Sequence, residues 1–481
     1  MNRSSIQQAI ATTEDVNLID RESVTVSPDF RNIAFVVKTG TKKYIQHDNE
    51  CGSQFDTIIS PLIFSPDSKH LAYVAGLEGK AYVIIDQKDF GPFDDVAQGV
   101  WFSPDSQCVA YGYERQGKWF YEVGDDTQGP FAGVGVGFFS PDSQRFAYKA
   151  RLVSEDKQSI VLNGSTGLLF DHVDDPRFSP DSDHLAYAAR KGAEWCVVLD
   201  GIPGKYFMET HVKPDPFSPD SKRFGYVITE NKRDTVMLDG ETHGPYDRLM
   251  HPGFIFSPDS HRCAWCYRDQ KKHFVHFDHQ KLGPYDGAGQ FIFSPDGKDY
   301  AYTILRKKTR FGIFAEKTYF IVHNGKESRG YKLIGNAVFS PDSKHFAFSG
   351  KDDKKVFQVI DGIDGDSYDL ITPLIFSPDS QHSAYGVSIS SKKFIKFDTE
   401  LLGPYESTHL PVFSPDSKFI AYRVVSLEEL GMRIYVNGDP GEKYTGIWVC
   451  DGNVVKFESS ESFRYLANQE NTFFFVEEVI S

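Results

Sequence analysis

Residues 64–73 read FSPDSKHLAY, and close copies follow as FSPDSQCVAY from Phe102, FSPDSQRFAY from Phe139 and FSPDSDHLAY from Phe178. The Asp of the Ser-Pro-Asp motif occurs eleven times, at positions 29, 67, 105, 142, 181, 220, 259, 296, 342, 379 and 416. Successive copies lie 37 to 39 residues apart, except for one interval of 46 residues that ends at Asp342. A degenerate twelfth copy, FESSESFRYLA, begins at Phe457. Twelve copies in 481 residues average about 40 residues each, which is the period of a four-stranded propeller blade.

One repeat, residues 61–94, contains four short apolar segments separated by turn signals. PLIF is followed by the SPDS turn, in which Pro66 presets φ and Asp67 can bond to nearby backbone. HLAYVA and AYVIID follow as the second and third strands, and QKDFGPFD contains a turn and a short fourth strand. The pattern predicts a four-stranded antiparallel meander.

The Ser and Asp of the motif are interpreted as hairpin chemistry rather than catalysis. A catalytic Ser needs one base and one oxyanion hole, and eleven equivalent sites do not fit that role. The second strand supports a structural reading because it repeats a small residue followed by an aromatic one, as in Ala72-Tyr73. Neighbouring strand residues point to opposite faces of a sheet, so we expect close packing on one face and a bulky filler on the other.

The FSPDS-x-x-x-AY repeat resembles the repeats of TolB-type, WD-repeat-like β-propellers, whose first turn reads W/F-S-P-D-G. The resemblance covers nearly the whole chain and implies a propeller fold. Ser replaces the usual Gly in most of these turns, whereas Gly297 keeps it. Gly-Pro-Tyr or Gly-Pro-Phe recurs near the fourth strand, at Gly91, Gly129, Gly244, Gly283 and Gly403. The propeller fold does not by itself indicate a function, because propellers serve as enzymes, lectins and scaffolds.

We therefore predict an all-β protein, a β-propeller of twelve four-stranded antiparallel blades of about 39 residues each. Residues 1–20 are expected to supply a strand that closes the last blade, with residues 13–20 as that strand. Common propellers have about four to eight blades, which favours two six-bladed rings over residues 21–250 and 251–481. No linker interrupts the repeat near residue 250, so a single closed twelve-bladed ring over residues 1–481 is the alternative.

The composition indicates a soluble cytoplasmic protein. The chain has a formal net charge of −15, which argues against extensive nucleic-acid binding. The first twenty residues lack the apolar core of a signal peptide, and no apolar stretch approaches the length of a membrane span. Six cysteines are too few for a disulfide scaffold in 481 residues.

The loops between second and third strands carry the variable, basic part of the sequence. Together they have a formal charge of +14, and the cluster from Arg306 to Arg310 lies within the long interval. Consistent single-sign loops steer anionic partners. The predicted partner-binding residues are Lys42, Lys43, Arg190, Lys191, Lys271, Lys272, Arg306, Lys307, Lys308, Arg310, Lys354, Lys355, Lys392 and Lys393.

Two other groups look like metal or redox sites but are predicted not to be. His273, His276 and His279 alternate along a strand and cannot converge without a bulge. Cys263 and Cys266 have C-x-x-C spacing, yet they also point to opposite faces, so core packing is expected. The sequence contains no nucleophile elbow, no HExxH motif and no phosphate-binding Gly loop. We accordingly expect no cofactor, no metal and no catalytic residue.

The sequence thus predicts a non-enzymatic propeller scaffold whose basic loop face binds another protein with an acidic surface. One alternative is a binder of nucleic acid or another polyanion, for which Trp119, Phe311 and Phe314 are the aromatic residues near the loops. The other alternative is a hydrolase or lyase with a site in the central channel.

Overall fold

The computed structural model of the chain describes residues 3–12, 18–208, 210–211, 216–310, 314–428, 430–449 and 453–480. Within these ranges the structure consists of twelve antiparallel sheets and one short 3₁₀ helix, Arg21–Ser23. Each sheet has four or five strands and corresponds to one sequence repeat. The predicted all-β architecture of twelve propeller blades is therefore confirmed. We number the blades 1 to 12 along the chain.

The first six blades are meanders in which neighbouring strands of the sheet are consecutive in the sequence. Where a blade has five strands, the first strand is in two pieces that both pair with the second. The strands of blades 1 to 6 are Thr25–Val26, Ile33–Thr39, Lys42–His47 and Glu50–Cys51; Thr57–Ile58, Ile63–Phe64, Leu71–Leu77, Lys80–Ile85 and Lys88–Phe93; Asp95–Phe102, Val109–Arg115, Lys118–Val123 and Asp126–Phe131; Gly133–Phe139, Phe146–Arg151, Gln158–Leu162 and Ser165–Thr166; His172–Val173, Arg177–Phe178, Leu185–Lys191, Glu194–Leu199 and Ile202–Pro203; Thr210–His211, Gly225–Glu230, Arg233–Leu238 and Glu241–Tyr246.

The remaining blades follow the same order, and blade 12 takes its last strand from the start of the chain. The strands of blades 7 to 12 are Arg248–Phe256, Cys263–Asp269, Lys272–Phe277 and Gln280–Tyr285; Gly287–Phe293, Tyr300–Arg310, Phe314–His323 and Lys326–Glu327; Leu333–Phe339, Phe346–Asp352, Lys355–Ile360 and Ile363–Asp364; Leu370–Ile371, Ile375–Phe376, Ser383–Ile389, Lys392–Phe397 and Glu400–Tyr405; Ser407–Thr408, Val412–Phe413, Ile420–Ser426, Gly431–Val436 and Asp439–Pro440; Gly446–Ile447, Lys456–Phe457, Ser462–Gln469, Thr472–Ile480 and Arg3–Thr12.

The chain divides into two compact units. One comprises residues 1–8 and 246–481, and the other comprises residues 9–245. The division falls within the fourth strand of blade 6, Glu241–Tyr246, rather than at a linker.

The Ser-Pro-Asp motif forms the hairpin between the first and second strands. In blade 2 the Ser65 hydroxyl donates to the Asp67 carboxylate at 2.7 Å and accepts the N–H of His70 at 3.0 Å. The N–H of Ser68 donates to the Ser65 carbonyl at 2.9 Å, which closes the turn. The Ser65 hydroxyl lowers the pKa of Asp67 to about 2. The predicted hairpin role of this Ser and Asp is therefore confirmed.

Adjacent blades pack a small residue against a large one. Ala34 of blade 1 and Tyr73 of blade 2 belong to one buried cluster with Phe55, whereas Ala72 packs into the next cluster with Tyr111 of blade 3. The repeated alanines of the second strands are fully buried. The alternation Ala-Tyr therefore places the small side chain toward the following blade and the aromatic ring toward the preceding one, as predicted from strand geometry.

Blade 12 is completed by an N-terminal strand, but that strand lies earlier than predicted. Arg3–Thr12 pairs with Thr472–Ile480, whereas residues 13–17 lie outside the described residues. Ile19 instead forms a bridge with Val37 of blade 1. Residues 13–20 were predicted as the closing strand because they directly precede the first repeat. In the structure the closing strand is Arg3–Thr12, and Arg3 makes its specific contacts with blades 11 and 12. Arg3 is ion-paired with the buried Glu478 and donates to the Ile434 carbonyl at 3.0 Å.

The Gly-Pro-Tyr and Gly-Pro-Phe sequences lie inside the fourth strands rather than in turns. All five Gly-Pro peptide bonds, from Gly91-Pro92 to Gly403-Pro404, are cis. In blade 2 the pairing register shifts between Phe90 and Phe93, so the sequence Gly-Pro-Phe forms an irregularity in the strand.

Candidate functional site

The hairpins between second and third strands carry the predicted cations. Together with the connections from one blade to the next, they form one end of each blade, which we call the hairpin edge. The longest hairpin joins Tyr300–Arg310 to Phe314–His323 in blade 8 and accounts for the 46-residue interval. Arg310 ends the first of these strands, and only its backbone is described.

A carboxylate beside each of several hairpins holds the first lysine of the third strand or the lysine just before it. The five ion pairs between Lys Nζ and Asp Oδ1 share one geometry and join Lys42 to Asp56, Lys80 to Asp94, Lys157 to Asp171, Lys272 to Asp286 and Lys355 to Asp369. Each of these Asp residues directly precedes the first strand of the next blade. We call these five Asp residues the junction carboxylates.

The second oxygen of each junction carboxylate can bind the next hairpin. Asp286 Oδ2 accepts the N–H of Lys307 at 2.7 Å, and Asp369 Oδ2 accepts the N–H of Ser390 at 2.8 Å. The same contact joins Asp56 to the N–H of Glu78 in blade 2. The ammonium of Lys272 lowers the pKa of Asp286, with a further contribution from the Lys307 N–H. A junction carboxylate therefore fixes both a lysine side chain and the backbone of the following hairpin.

Three of the predicted partner-binding residues, Lys42, Lys272 and Lys355, are thus already paired at the hairpin edge. Arg306 is also paired, with Glu327 at 2.5 Å, and its guanidinium lies 5.8 Å from the ring centre of Phe320. The junction carboxylates therefore compensate part of the positive charge of the hairpins. They were not included in the formal charge of +14, which covers only the residues of the hairpins. They belong to the blade-to-blade connections, 14 residues beyond the lysines in sequence.

The remaining exposed lysines of the predicted set are different, and two of them, Lys271 and Lys354, lie in the turns themselves. Lys191, Lys271, Lys307, Lys308, Lys354 and Lys392 are exposed, and no ion pair holds their side chains in the described part of the chain. Lys43 and Lys393 are half-buried, and Lys393 Nζ lies 3.4 Å from the Ser388 hydroxyl. Arg190 lies over the Trp195 ring with a distance of 6.0 Å to its centre. The structure thus separates exposed cations without an ion pair from cations that are packed or paired.

Exposed leucines at the hairpin edge of blades 9 to 11 were missed in the sequence. Leu333, Leu370, Leu427 and Leu430 are 51%, 61%, 69% and 82% exposed. Leu333 pairs across the sheet with Lys351, and Leu370 pairs with Ser388, so both lie beside the hairpins that carry Lys354 and Lys392. A leucine at the start of a first strand resembles a core residue in sequence, and only its exposure reveals an apolar surface.

A cavity of about 210 Å³ lies at the hairpin edge between blades 10 and 11. Its lining combines the apolar surfaces of Tyr405 and Val424 with charged groups of both signs, including Lys392, Arg433 and Glu406. Glu406 occupies the place of a junction carboxylate and accepts the N–H of Leu427. The cavity is large enough for one amino-acid side chain and adjoins the exposed leucines of blade 11.

The weaker candidate sites occupy ordinary structural positions. His276 stacks on Trp265 with ring centres 3.8 Å apart, and in the described ranges no three His, Cys, Asp or Glu side chains are placed to bind a metal. Cys263 and Cys266 are buried free thiols, and desolvation raises the pKa of Cys266 to about 12. Within the same ranges, no helix is long and apolar enough to cross a membrane.

No protein-family model matches the chain, and no curated protein sequence does. Among solved structures, it is similar to the β-propeller domain of the Trilobed protease from Pyrococcus furiosus, with 13% identity and a TM-score of 0.28 over 56% of this chain and 94% of that one. It is also similar to the tricorn protease, with 10% identity and a TM-score of 0.25 over 88% of this chain and 58% of that one. TolB from Acinetobacter baumannii gives 14% identity and a TM-score of 0.21 over 53% of this chain and 75% of that one. The twelve-blade assignment rests on the strand pairing of this chain rather than on these similarities.

Proposed function

We propose that the protein is a non-enzymatic β-propeller scaffold and that the hairpin edge of blades 9 to 11 binds another protein. The proposal rests on four exposed leucines of the hairpin edge, two of which, Leu333 and Leu370, lie beside the hairpins that carry the exposed Lys354 and Lys392. Exposed apolar patches rimmed by polar residues mark protein–protein interaction sites, whereas charges at the rim mainly accelerate association. A partner segment with apolar and acidic side chains complements this surface.

The cavity between blades 10 and 11 supports an anchored mode of binding. An apolar side chain of the partner can contact Val424 and Tyr405, and a neighbouring carboxylate can then reach Lys392. Leu427 and Leu430 belong to the same hairpin as the lining residues Ser426 and Gly431, and both are exposed. This arrangement favours a peptide segment over a featureless polyanion.

The junction carboxylates argue against nucleic acid as the preferred ligand. Asp286 and Asp369 lie within 2.7 Å of the lysines that would otherwise contact phosphates. A phosphate backbone would have to compete with these carboxylates for the paired lysines. An acidic peptide carries fewer negative charges than a nucleic-acid backbone. Its carboxylates can bind the exposed lysines that have no ion pair.

A peptide selection tests the proposal, because it does not require the identity of the partner. Random 16-residue peptides are selected on the immobilised full chain, and the enriched peptides are measured against a block variant, Lys354→Glu, Lys392→Glu, Leu427→Ser and Leu430→Ser. A control variant, Lys69→Glu and Lys298→Glu, makes the same kind of charge change at exposed lysines of the Ser-Pro-Asp turns. We expect acidic and apolar peptides that bind the control normally and lose at least tenfold affinity for the block variant.

Two outcomes contradict the proposal. The first is enrichment of peptides without acidic residues, or equal binding to the block variant. The second is stronger binding of a single-stranded oligonucleotide with a steep dependence on salt, which is the behaviour of a polyanion site.

A further inference from the structure

The contact between blades 9 and 10 differs from several other contacts between neighbouring blades. In the middle of each third strand, one residue faces the following blade and the next residue faces the preceding one. In six pairs of neighbouring blades, two buried apolar or aromatic residues from these positions meet in one core cluster: Ile45 with Ile84, Tyr121 with Val161, Ile160 with Val198, Val275 with Val322, Ile321 with Val359, and Ile434 with Val476. Between blades 9 and 10, the corresponding residues are Gln358 and Lys396.

Gln358 is buried and has an acceptor without a partner. The residue is only 2% exposed, and its side-chain nitrogen donates to the Thr372 carbonyl at 3.0 Å. Because a carbonyl can only accept, the amide group bonded to Thr372 must be the NH₂, and the oxygen is the remaining group. In the described structure this Oε1 atom is buried and accepts no hydrogen bond. A buried unsatisfied acceptor costs about 1–3 kcal/mol, so a group that donates to it would be stabilising.

Lys396 lies at the equivalent position on blade 10, facing blade 9. Its side chain is 13% exposed, and Nζ contacts Asp366 Oδ2 at 3.1 Å and the Thr399 carbonyl at 2.9 Å. Asp366 itself is 71% exposed and can rotate toward solvent or toward a ligand. The Lys396 side chain therefore occupies the position where other blades place Ile84, Val161 or Val198.

Both side chains line one cleft of about 510 Å³. Of its four carboxylates, three are held by structural partners. Asp361 and Asp398 each bind a histidine at 2.7 Å and a backbone N–H, and Asp364 binds Arg329 and the Tyr331 hydroxyl. The other polar side chains of the lining are Gln358, Lys396, Asp366, Ser383, Tyr385 and Thr399. The Gln358 oxygen accepts no hydrogen bond, whereas Lys396 and Asp366 contact each other and the Tyr368 hydroxyl lies 3.4 Å from Asp366 Oδ2. Ile363 adds an exposed apolar surface.

The charges of the cleft select against ionic ligands. The four carboxylates and one ammonium of the lining repel an anion, and each carboxylate already has a charged or hydrogen-bonding partner, with Lys396 on Asp366, so none is left free for a cation. A hydroxyl group both donates and accepts, so neighbouring hydroxyls can satisfy Gln358 and Asp366 as donors and Lys396 as an acceptor. We propose that the cleft between blades 9 and 10 is a binding site for a neutral carbohydrate of one or two sugar units.

This site is independent of the proposed protein interface. The cleft is formed by the third-to-fourth turns that contain Asp361 and Asp398, whereas the exposed leucines lie at the hairpin edge, the opposite end of the blades. Loss of one function should therefore leave the other intact, and the two proposals can fail separately.

Saturation-transfer difference NMR on the full chain tests the site. The probes are glucose, galactose, mannose, N-acetylglucosamine, maltose and cellobiose, with galacturonate as the anionic arm and spermidine as the cationic arm. The variants are Gln358→Ile and Lys396→Ile, which restore the apolar side chains of other blades. Gln46→Val is the control, because it replaces another buried glutamine with the residue that blades 4 and 5 carry at the equivalent position.

We expect at least one neutral sugar to bind the wild type and the control, and at least a tenfold loss of its affinity in both site variants. The melting temperature of Gln358→Ile should stay close to that of the wild type, since removal of the orphaned acceptor offsets loss of the hydrogen bond to the Thr372 carbonyl. A structural role for Gln358 alone predicts instead a lower melting temperature and no binding. The proposal is overturned if no neutral sugar binds, if only galacturonate or spermidine binds, or if the variants bind as the wild type does. If Lys396→Ile does not fold, Lys396→Met is compared with the wild type instead, because methionine keeps a similar side-chain length without the charge.

Discussion

The hydroxyl oxygen of Ser106 in blade 3 accepts a hydrogen bond from the backbone N–H of Asp67 in blade 2 at 3.0 Å. The same bond joins the Ser-Pro-Asp turns of eight pairs of neighbouring blades, at distances of 2.9 to 3.0 Å. The accepting Ser is the residue that follows Asp in the motif. The turns are therefore linked from blade to blade as well as closed within each blade.

This contact gives the Ser that follows Asp in the motif a role that a Gly at the same position could not fill. Ser106 has a φ of 64°, a left-handed conformation that costs an L-residue roughly 1–2 kcal/mol relative to Gly. The hydrogen bond to the neighbouring blade offsets that cost. Blade 8 has Gly297 instead, and a Cβ atom there would lie 2.5 Å from Cγ of Asp259.

The inter-blade hydrogen bond predicts that Ser106→Ala destabilises the protein more than Ser106→Gly does. Ser106→Ala keeps the left-handed strain but removes the acceptor of a partly buried N–H, and we expect a loss of about 1–3 kcal/mol. Ser106→Gly also loses the hydrogen bond but relieves the strain, so its cost should be smaller by about 1 kcal/mol. Urea unfolding of both variants gives the comparison. Equal stability of Ala and Gly at this position would show that strain and hydrogen bond do not oppose each other.

The lowered pKa values of the turn aspartates predict a loss of stability in acid. The pKa of Asp67 is about 2 in the folded protein, and the pKa values of Asp105 and Asp142 are also lowered, in each case mainly by the hydroxyl of the motif Ser. A lowered folded pKa contributes stability above the unfolded pKa of about 3.9, and this contribution disappears as the pH falls toward 2.

The measurement compares the wild type with the triple variant Asp67→Asn, Asp105→Asn and Asp142→Asn. Melting temperatures are recorded between pH 7 and pH 2 by circular dichroism. We expect the wild type to melt higher at pH 7 and the difference to shrink progressively below about pH 4. A difference that stays constant down to pH 2 would contradict the assignment of these carboxylates as stabilising in their ionised form.

The ion pair of the N-terminal strand predicts a large loss of stability when Arg3 alone is replaced. Glu478 is 1% exposed and is ion-paired with Arg3, while the Tyr465 hydroxyl donates to its other oxygen at 2.6 Å. Arg3→Ala leaves a buried carboxylate without its cation, and we expect a loss of about 3–5 kcal/mol in unfolding free energy. The double variant Arg3→Ala and Glu478→Gln should recover part of that loss. An Arg3→Ala protein as stable as the wild type would show that the strand is held by its backbone pairing alone.

The small-to-large packing between blades predicts that the repeated alanines tolerate no enlargement. Ala72 is fully buried against Val100 and Tyr111 of the next blade. Ala72→Leu should destabilise the protein by about 1–3 kcal/mol, because the added atoms force neighbouring side chains out of their rotamers. Asp89→Leu, at an exposed position of the same blade, is the control for an added leucine. An Ala72→Leu protein with the unfolding free energy of the wild type, measured by chemical unfolding, would indicate unfilled space between blades 2 and 3.

The repeat in the sequence determined most of the architecture. A period near 39 residues, the Ser-Pro-Asp turn and the Ala-Tyr alternation are local signals, and each depends only on turn geometry and strand alternation. They were sufficient to predict twelve four-stranded blades and the hairpins that carry Lys271, Lys308 and Lys354. The position of the closing strand was not predicted correctly, because the ion pair of Arg3 with Glu478 joins residues 475 positions apart.

Only the tertiary structure decided which cations are available and where polar groups converge. Lys272 and Lys271 are adjacent in sequence, yet Asp286 pairs with one and leaves the other in solvent. Gln358 and Lys396 each look like an ordinary polar residue in a strand until the packing of blades 9 and 10 brings both to one cleft. Contacts of this kind join residues of different blades, and the energy of such a pair depends on the distance and burial that the packing of whole blades creates.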